Sequence, residues 1–293
     1  MKLVRFVPSG TKIDFMRWRG TAVWGSSILN VLAILAVILI GLNFGIDFKG
    51  GILLEVRTQG PADLARLRSS LEGLGLGEVS LQEFGRETDV LVRIQRQEGD
   101  EAAQLRAVEV VKQKLGASVD YRRVEFVGPK VGSELISGSI WAVTLSLLGI
   151  AVYVWFRFEW QFAVGAIVSL FHDVISTVGL FALSGLEFNL TSVAAVLTIA
   201  GYSMNDTVII YDRIRENLRK YKSMDLSTLI NVSLNETLSR TTLTHFTTFL
   251  AVFALTSMGG DVIRGFSLAM MWGVFVGTYS SIYIAAPFLI YTG

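Results

Sequence analysis

What most limits the fold of this chain is a series of six apolar runs: Ala22–Leu42, Ile136–Phe156, Gln161–Ser184, Phe188–Tyr211, Thr242–Met258 and Gly265–Tyr291. A helix needs about 20 predominantly apolar residues to cross the roughly 30 Å hydrocarbon core of a bilayer. Soluble domains seldom repeat such runs, and the composition agrees: 52% of the 293 residues are hydrophobic and mean hydropathy is +0.52. The expected class is an α-helical polytopic membrane protein with six transmembrane helices. The first run is too long for a signal-peptide core and is followed by no small-residue cleavage pattern, so it is expected to be a retained span. The last exceeds one crossing, which predicts tilt or final turns outside the bilayer. A net charge of +1 gives no bulk attraction to nucleic acid, and the absence of Cys excludes disulfides and thiolate metal sites.

Orientation follows from basic residues in the short flanks. Lys2, Arg5, Lys12, Arg17 and Arg19 precede the first span, and Arg213, Arg215, Arg219, Lys220, Lys222 and Arg240 lie between the fourth and fifth. Both sides are expected to be cytoplasmic, with both termini inside. The opposite connections, around Leu186–Glu187 and Gly259–Arg264, carry almost no Lys or Arg. The expected organisation is a cytoplasmic segment (1–21), a first helix (22–42), an external α+β domain (43–135) and a five-helix region (136–293) with a cytoplasmic loop at 212–241.

In the external region the pattern turns charged and amphipathic. It predicts a strand at Ile52–Thr58, a helix opening at Pro61 with apolar Leu64, Leu67, Leu71 and Leu74, and strands at Val79–Phe84 and Asp89–Gln95. A helix over Glu101–Leu115 and a strand at Val119–Val127 follow. The order βαββαβ is that of a small ferredoxin-like unit. It has no Gly-rich phosphate loop, metal-ligand cluster or nucleophile with a base, so it reads as a binding surface or as a packed spacer. At its two ends, Gly45, Gly50 and Gly51 permit turns, Asp47 and Lys49 face water or cap the helix exit, and Gly128 with Pro129 stops the last strand. These segments form a hinge or simply seal the domain base.

Polar residues inside the spans need a reason, because a charge at mid-membrane costs roughly 2.5–3.5 kcal/mol or more. Asn205 and Asp206 follow Gly201, Tyr202 and Ser203 on the fourth helix, and about 9 Å of helical rise separates Asp206 from the basic end. Asp206 is thus a titratable group within reach of water, a protonated interhelical donor, or a salt-bridge partner for assembly. His172 and Asp173, with Ser169, Ser176 and Thr177, suggest an interhelical polar cluster or a secondary proton-transfer step; the only other His is His245, so a metal site lacks ligands. On the fifth helix Arg240 precedes Thr241, Thr244, His245 and Thr248, spaced along one stripe. That stripe satisfies a neighbouring helix or lines a wet passage, and Arg240 either snorkels or faces Asp206. An Asp beside an Arg that moves between near and far positions would load and unload a proton.

The segments "GIDFKGG" (Gly45–Gly51), "VGPKVGSEL" (Val127–Leu135), "FHD" (Phe171–Asp173), "GYSMNDTVIIYDRIRENLR" (Gly201–Arg219) and "NETLSRTTLTH" (Asn235–His245) resemble the SecD/SecF family of protein-export membrane proteins. The external region is far smaller than that of the SecD branch, so the likeness is to the SecF branch. The resemblance implies a resistance-nodulation-division membrane half in the bacterial inner membrane, paired with SecD and associated with the SecYEG translocon and with YajC and YidC. It implies use of the proton gradient to assist preprotein export, with no cofactor, metal or enzymatic step. It assigns proton coupling to Asp206 and Arg240, with Asn205 adjacent; a secondary cluster would comprise His172, Asp173, Thr244, His245 and Thr248. A domain hinge would comprise Gly45, Asp47, Phe48, Gly50, Gly51, Gly128 and Pro129. A small-molecule or lipid exporter of the same superfamily is the alternative, and a pure scaffold would not require Asp206.

Overall fold

The computed structural model describes residues 11–77, 79–84, 86–116, 119–259 and 261–292. The basic residues Lys2 and Arg5 lie outside the described residues.

The sheet domain contains β1 (Gly51–Thr58), α3 (Leu64–Glu72), β2 (Val79–Phe84), β3 (Arg86–Gln95), α4 (Glu101–Leu115) and β4 (Val119–Val127). All pairings are antiparallel, in the spatial order β2-β3-β1-β4. Alternation in β1 and β3 buries Ile52, Leu54, Val56, Val90, Val92 and Ile94 on one face, against Leu71, Val108, Val111 and Leu115 of the two helices. On the central pair Arg57 grips Asp89, Nη2 to Oδ2 at 2.8 Å. The first helix opens at Leu64 and not at Pro61. Asp63 accepts from the Arg66 amide at 3.0 Å, an N-cap that sets the start, while the Ala62 amide is drawn to Glu87 O at 2.7 Å.

The remaining helices are α1 (Arg19–Leu39), α2 (Ile46–Lys49), α5 (Pro129–Arg157), α6 (Trp160–Ser184), α7 (Leu190–Lys220), α8 (Leu226–Met258), α9 (Asp261–Ser280) and α10 (Ala286–Thr292). A π-turn, Ser281–Ala285, joins the last two. Five segments are long and apolar enough to cross a membrane: Met16–Leu39, Val131–Arg157, Trp160–Ser184, Leu190–Lys220 and Ile263–Thr292. The expected span Thr242–Met258 is the second half of α8, whose Thr and Ser residues dilute its apolar character, and α8 is not among those five.

Two expected boundaries move. The connection 212–241 is almost wholly helical, since α7 runs to Lys220 and α8 starts at Leu226. Beyond the apolar stretch the two helices hold each other through Asn217 Nδ2 to Ser233 Oγ (3.0 Å) and Arg213 Nε to Glu236 Oε2 (2.7 Å), polar pairs that supplement the buried packing of Ile214, Leu229, Ile230 and Leu234. Residues 129–135, expected in the external domain, are the first turns of α5, which starts directly after Gly128.

The "GIDFKGG" segment forms α2 and seats the sheet domain on the bundle. Gly50 (φ 73°) and Gly51 (φ 146°) lie in the left-handed half of conformational space, and a side chain at Gly51 would meet Ile94 O at 2.7 Å. Asp47 Oδ2 accepts from the Leu190 amide at 3.0 Å, supplementing the Asn189 cap of α7. The Gly45 amide bonds Phe188 O at 2.9 Å, Phe48 stacks on Phe188, and Arg93 of β3 pairs with Glu187 at 2.8 Å. The junction thus fastens the domain base to the start of α7.

Candidate functional site

Helix α7 brings two buried polar clusters together by presenting different faces to its neighbours. Asp206 is 2% exposed, and its Oδ2 lies 2.6 Å from His245 Nε2 on α8. The contact is close, yet the ring N–H direction is off the line of an aligned hydrogen bond. His245 Nδ1 lies 2.8 Å from Thr278 Oγ1 of α9, and that hydroxyl donates to Val274 O at 2.7 Å. With that proton committed, Thr278 accepts from Nδ1–H, and Nε2 is the ring nitrogen that faces Asp206. Tyr202 packs its ring 5.3 Å from that of His245 and donates to Thr248 Oγ1 at 3.1 Å. Thr241 is buried one turn earlier, with no partner for its hydroxyl among the described residues.

Asp173 of α6 is fully buried and has three side-chain partners. Ser203 of α7 and Ser280 of α9 donate to Oδ2 at 2.5 and 2.8 Å, and His172 Nδ1 lies 3.0 Å from Oδ1. Ser176 and Thr177 fold back onto the Asp173 carbonyl. The π-turn immediately after Ser280 rotates the chain so that Ser281 reaches Thr207 at 2.8 Å, and Tyr211 donates to Ala285 O at 3.0 Å. Such turns re-aim side chains inside a helix, and Pro287, which cannot donate a backbone hydrogen bond, follows closely.

The expected proton-coupling residues separate. Asp206 faces inward to His245. Arg240 is exposed on α8, and among the described residues no ion pair joins it to Asp206. Asn205 is exposed on the outer side of α7, as is Gly201 one turn earlier. Thr244 and Thr248 are half-buried, the former donating to the Arg240 carbonyl at 2.9 Å. His172 and Asp173 come together, while His245 joins the other cluster. The α9 contributors Thr278 and Ser280, with Ser281 beyond, were not singled out in the sequence. The readable signal was "GTYSSIY", Gly277–Tyr283, hydroxyl-rich within an otherwise apolar run.

Comparison with known proteins places this geometry in a family. A model described as protein export membrane protein SecD/SecF, C-terminal, matches residues 107–293, and the SecD/SecF GG motif matches residues 36–62. The protein translocase subunit SecF of Rickettsia rickettsii is 46% identical over 290 residues, covering 98% of this chain and 94% of that protein. The SecF of Rhodobacter capsulatus is 44% identical, covering 99% and 92%. The crystal structure of SecDF, a translocon-associated membrane protein from Thermus thermophilus, matches with a TM-score of 0.83 at 36% identity, over 97% of this chain. This chain spans 39% of the length of that SecDF chain. A second SecDF structure, in a super-membrane-facing form, matches with a TM-score of 0.74 at 35% identity. With a family model covering more than half its length and near-full-length relatives above 40% identity, the chain belongs to the SecD/SecF family of protein export membrane proteins.

Proposed function

We propose that this chain is the SecF-type subunit of the Sec export machinery, a multi-pass inner-membrane protein that works with SecD and uses the proton gradient to assist preprotein movement through SecYEG. It carries out no covalent chemistry on its substrate. In this reading all six long helices cross the membrane, α8 included, because its Thr stripe faces neighbouring helices and its backbone is internally bonded. Both termini are cytoplasmic, and the antiparallel order β2-β3-β1-β4 is read as a ferredoxin-like periplasmic domain that holds the emerging chain. The names of the relatives favour export over a small-molecule or lipid pump.

One observation carries the proton role: a carboxyl group 2% exposed, on a membrane helix, whose closest polar contact is the imidazole of His245 at 2.6 Å. Arg240 on α8 and Asn205 on α7 are both exposed, and an exposed cation at the end of a membrane helix calls for a partner or for headgroups. That exposed surface suits the SecD half, and pairing would bring further charges towards Asp206. YajC and YidC are proposed as neighbours on the resemblance alone. The joint at Asp47, Gly51 and Arg93 ties the domain base to the helix bearing Asp206, so a proton-dependent shift of α7 is transmitted outward.

The test is gradient-stimulated preprotein translocation into inverted membrane vesicles, with SecD assembly verified for each variant. Asp206→Asn is expected to remove the gradient-stimulated part. Unchanged stimulation would sink the coupling role.

A further inference from the structure

At the end of the bundle remote from the sheet domain, the C-terminal ends of α5 and α7 enclose an open groove of about 450 Å³ lined by Arg157, Asp212, Arg215, Glu216, Arg219 and Lys220. Both acids are already engaged: Asp212 pairs with Arg157 at 2.9 Å, and Glu216 with Arg213 at 2.6 Å. Arg215 donates to the Arg157 carbonyl at 3.2 Å, which quiets the negative end of α5, where an anion would otherwise be repelled. Arg219 and Lys220 are exposed and make no ion pair among the described residues. Three cations therefore face the groove without a matching acid.

The walls beside it are apolar and aromatic. Trp155 and Phe156, immediately before Arg157, are 67% and 89% exposed, and Trp160 is 57% exposed. Along α5 the outward face continues through Val152, Leu148, Leu145 and Trp141, all exposed. Aromatic rings beside a row of guanidinium groups mark the level where lipid headgroups meet acyl chains. A soluble anion would use the cations and leave the rings idle; a phospholipid uses both. Guanidinium forks match a phosphodiester bidentately, and basic pockets at membrane-helix ends take anionic headgroups.

We propose that this groove is a binding site for an anionic phospholipid, its phosphate held by Arg215, Arg219 and Lys220 and its chains lying along α5. The site depends on the chain being embedded in a membrane and not on the proton-coupling reading of Asp206.

The test uses the full-length protein in phosphatidylcholine vesicles containing trace spin-labelled phosphatidylglycerol or spin-labelled phosphatidylcholine, with electron paramagnetic resonance reporting the immobilised fraction. The native protein is expected to immobilise the anionic probe more strongly by up to about a hundredfold, at about fivefold for each of the three cations. Arg215→Gln/Arg219→Gln/Lys220→Gln is expected to lower that preference about tenfold or more, and Arg219→Gln alone, an exposed change that spares the fold, about fivefold. The matched change Arg66→Gln/Arg68→Gln on the sheet domain should leave it intact. Equal immobilisation of the two probes, or an unchanged preference in both groove variants, overturns the site. Displacement of the lipid probe by inorganic phosphate would make it a free-phosphate site, and its exclusion on assembly with SecD would make it a protein interface. Either result overturns the lipid assignment.

Discussion

Two aspartates lie within one helical bundle, both essentially inaccessible to solvent, and their surroundings differ. Asp173 receives two serine hydroxyls and faces a His, with contacts to α7 and α9 as well as its own helix. Among the described residues Asp206 has one close polar contact, His245, poorly aligned for a hydrogen bond, and the adjacent Asn205 on the same helix is exposed. A carboxylate with its acceptor positions filled is held in one state, because any change of protonation breaks several bonds at once. A carboxylate with one titratable neighbour can exchange a proton by a small rotation. We propose that Asp173 holds α6, α7 and α9 together and that Asp206 handles the proton.

The sharpest way to break that assignment is His245→Gln, which keeps a polar side chain and removes the basic nitrogen. It is expected to cut gradient-stimulated translocation about tenfold or more and to flatten its pH profile, whereas Thr278→Val, which frees the ring tautomer, gives a partial loss. Asp173→Ala should act on stability instead. It strands Ser203, Ser280 and His172, at a cost on the order of 2–3 kcal/mol, read as a lower melting temperature in detergent, with residual translocation in proportion to folded protein. A normal melting point with abolished proton response would reverse the two roles.

Smaller effects test the junction and the sheet domain. Asp47→Ala removes one of the caps on α7, worth about 1 kcal/mol. Faster amide exchange at the α7 start should follow, together with weaker transmission to the domain. In the domain, the Arg57 guanidinium beside Asp89 holds its carboxyl below the ordinary carboxylate range. Because the folded form binds its proton less readily than the unfolded one, this contribution is complete above about pH 4 and is lost as pH falls through the lowered folded value. The native domain and Asp89→Asn should therefore differ by a few °C in melting temperature at neutral pH and converge in acid.

The period of the sequence made most elements of the sheet domain legible, because alternation such as that in Ile52–Thr58 is a local signal, whereas the first helix was expected from Pro61 and its Asp63 cap, which starts it at Leu64, was not read. The expected helix count came from apolar runs, yet α7 and α8 continue well past them on polar pairs such as Asn217–Ser233 and on isolated buried residues such as Ile214 and Leu229, which a bilayer-length hydropathy window averages away. Asp206 announced itself by its cost in an apolar run. Its partner did not: the charge logic pointed to Arg240, while the fold turns Arg240 outward and His245 inward one turn later. Thr278 and Ser280 stayed hidden because hydroxyls in a span usually back-bond to their own helix; here both lie within bonding distance of the Val274 and Gly277 carbonyls and also reach His245 and Asp173 on neighbouring helices.

The most direct test of the central claim is infrared difference spectroscopy of carboxyl C=O bands during a pH titration of the protein reconstituted with SecD. The account predicts a titrating band that vanishes in Asp206→Asn, shifts in His245→Gln and persists in Asp173→Asn. A band that survives in Asp206→Asn and disappears in Asp173→Asn would contradict it.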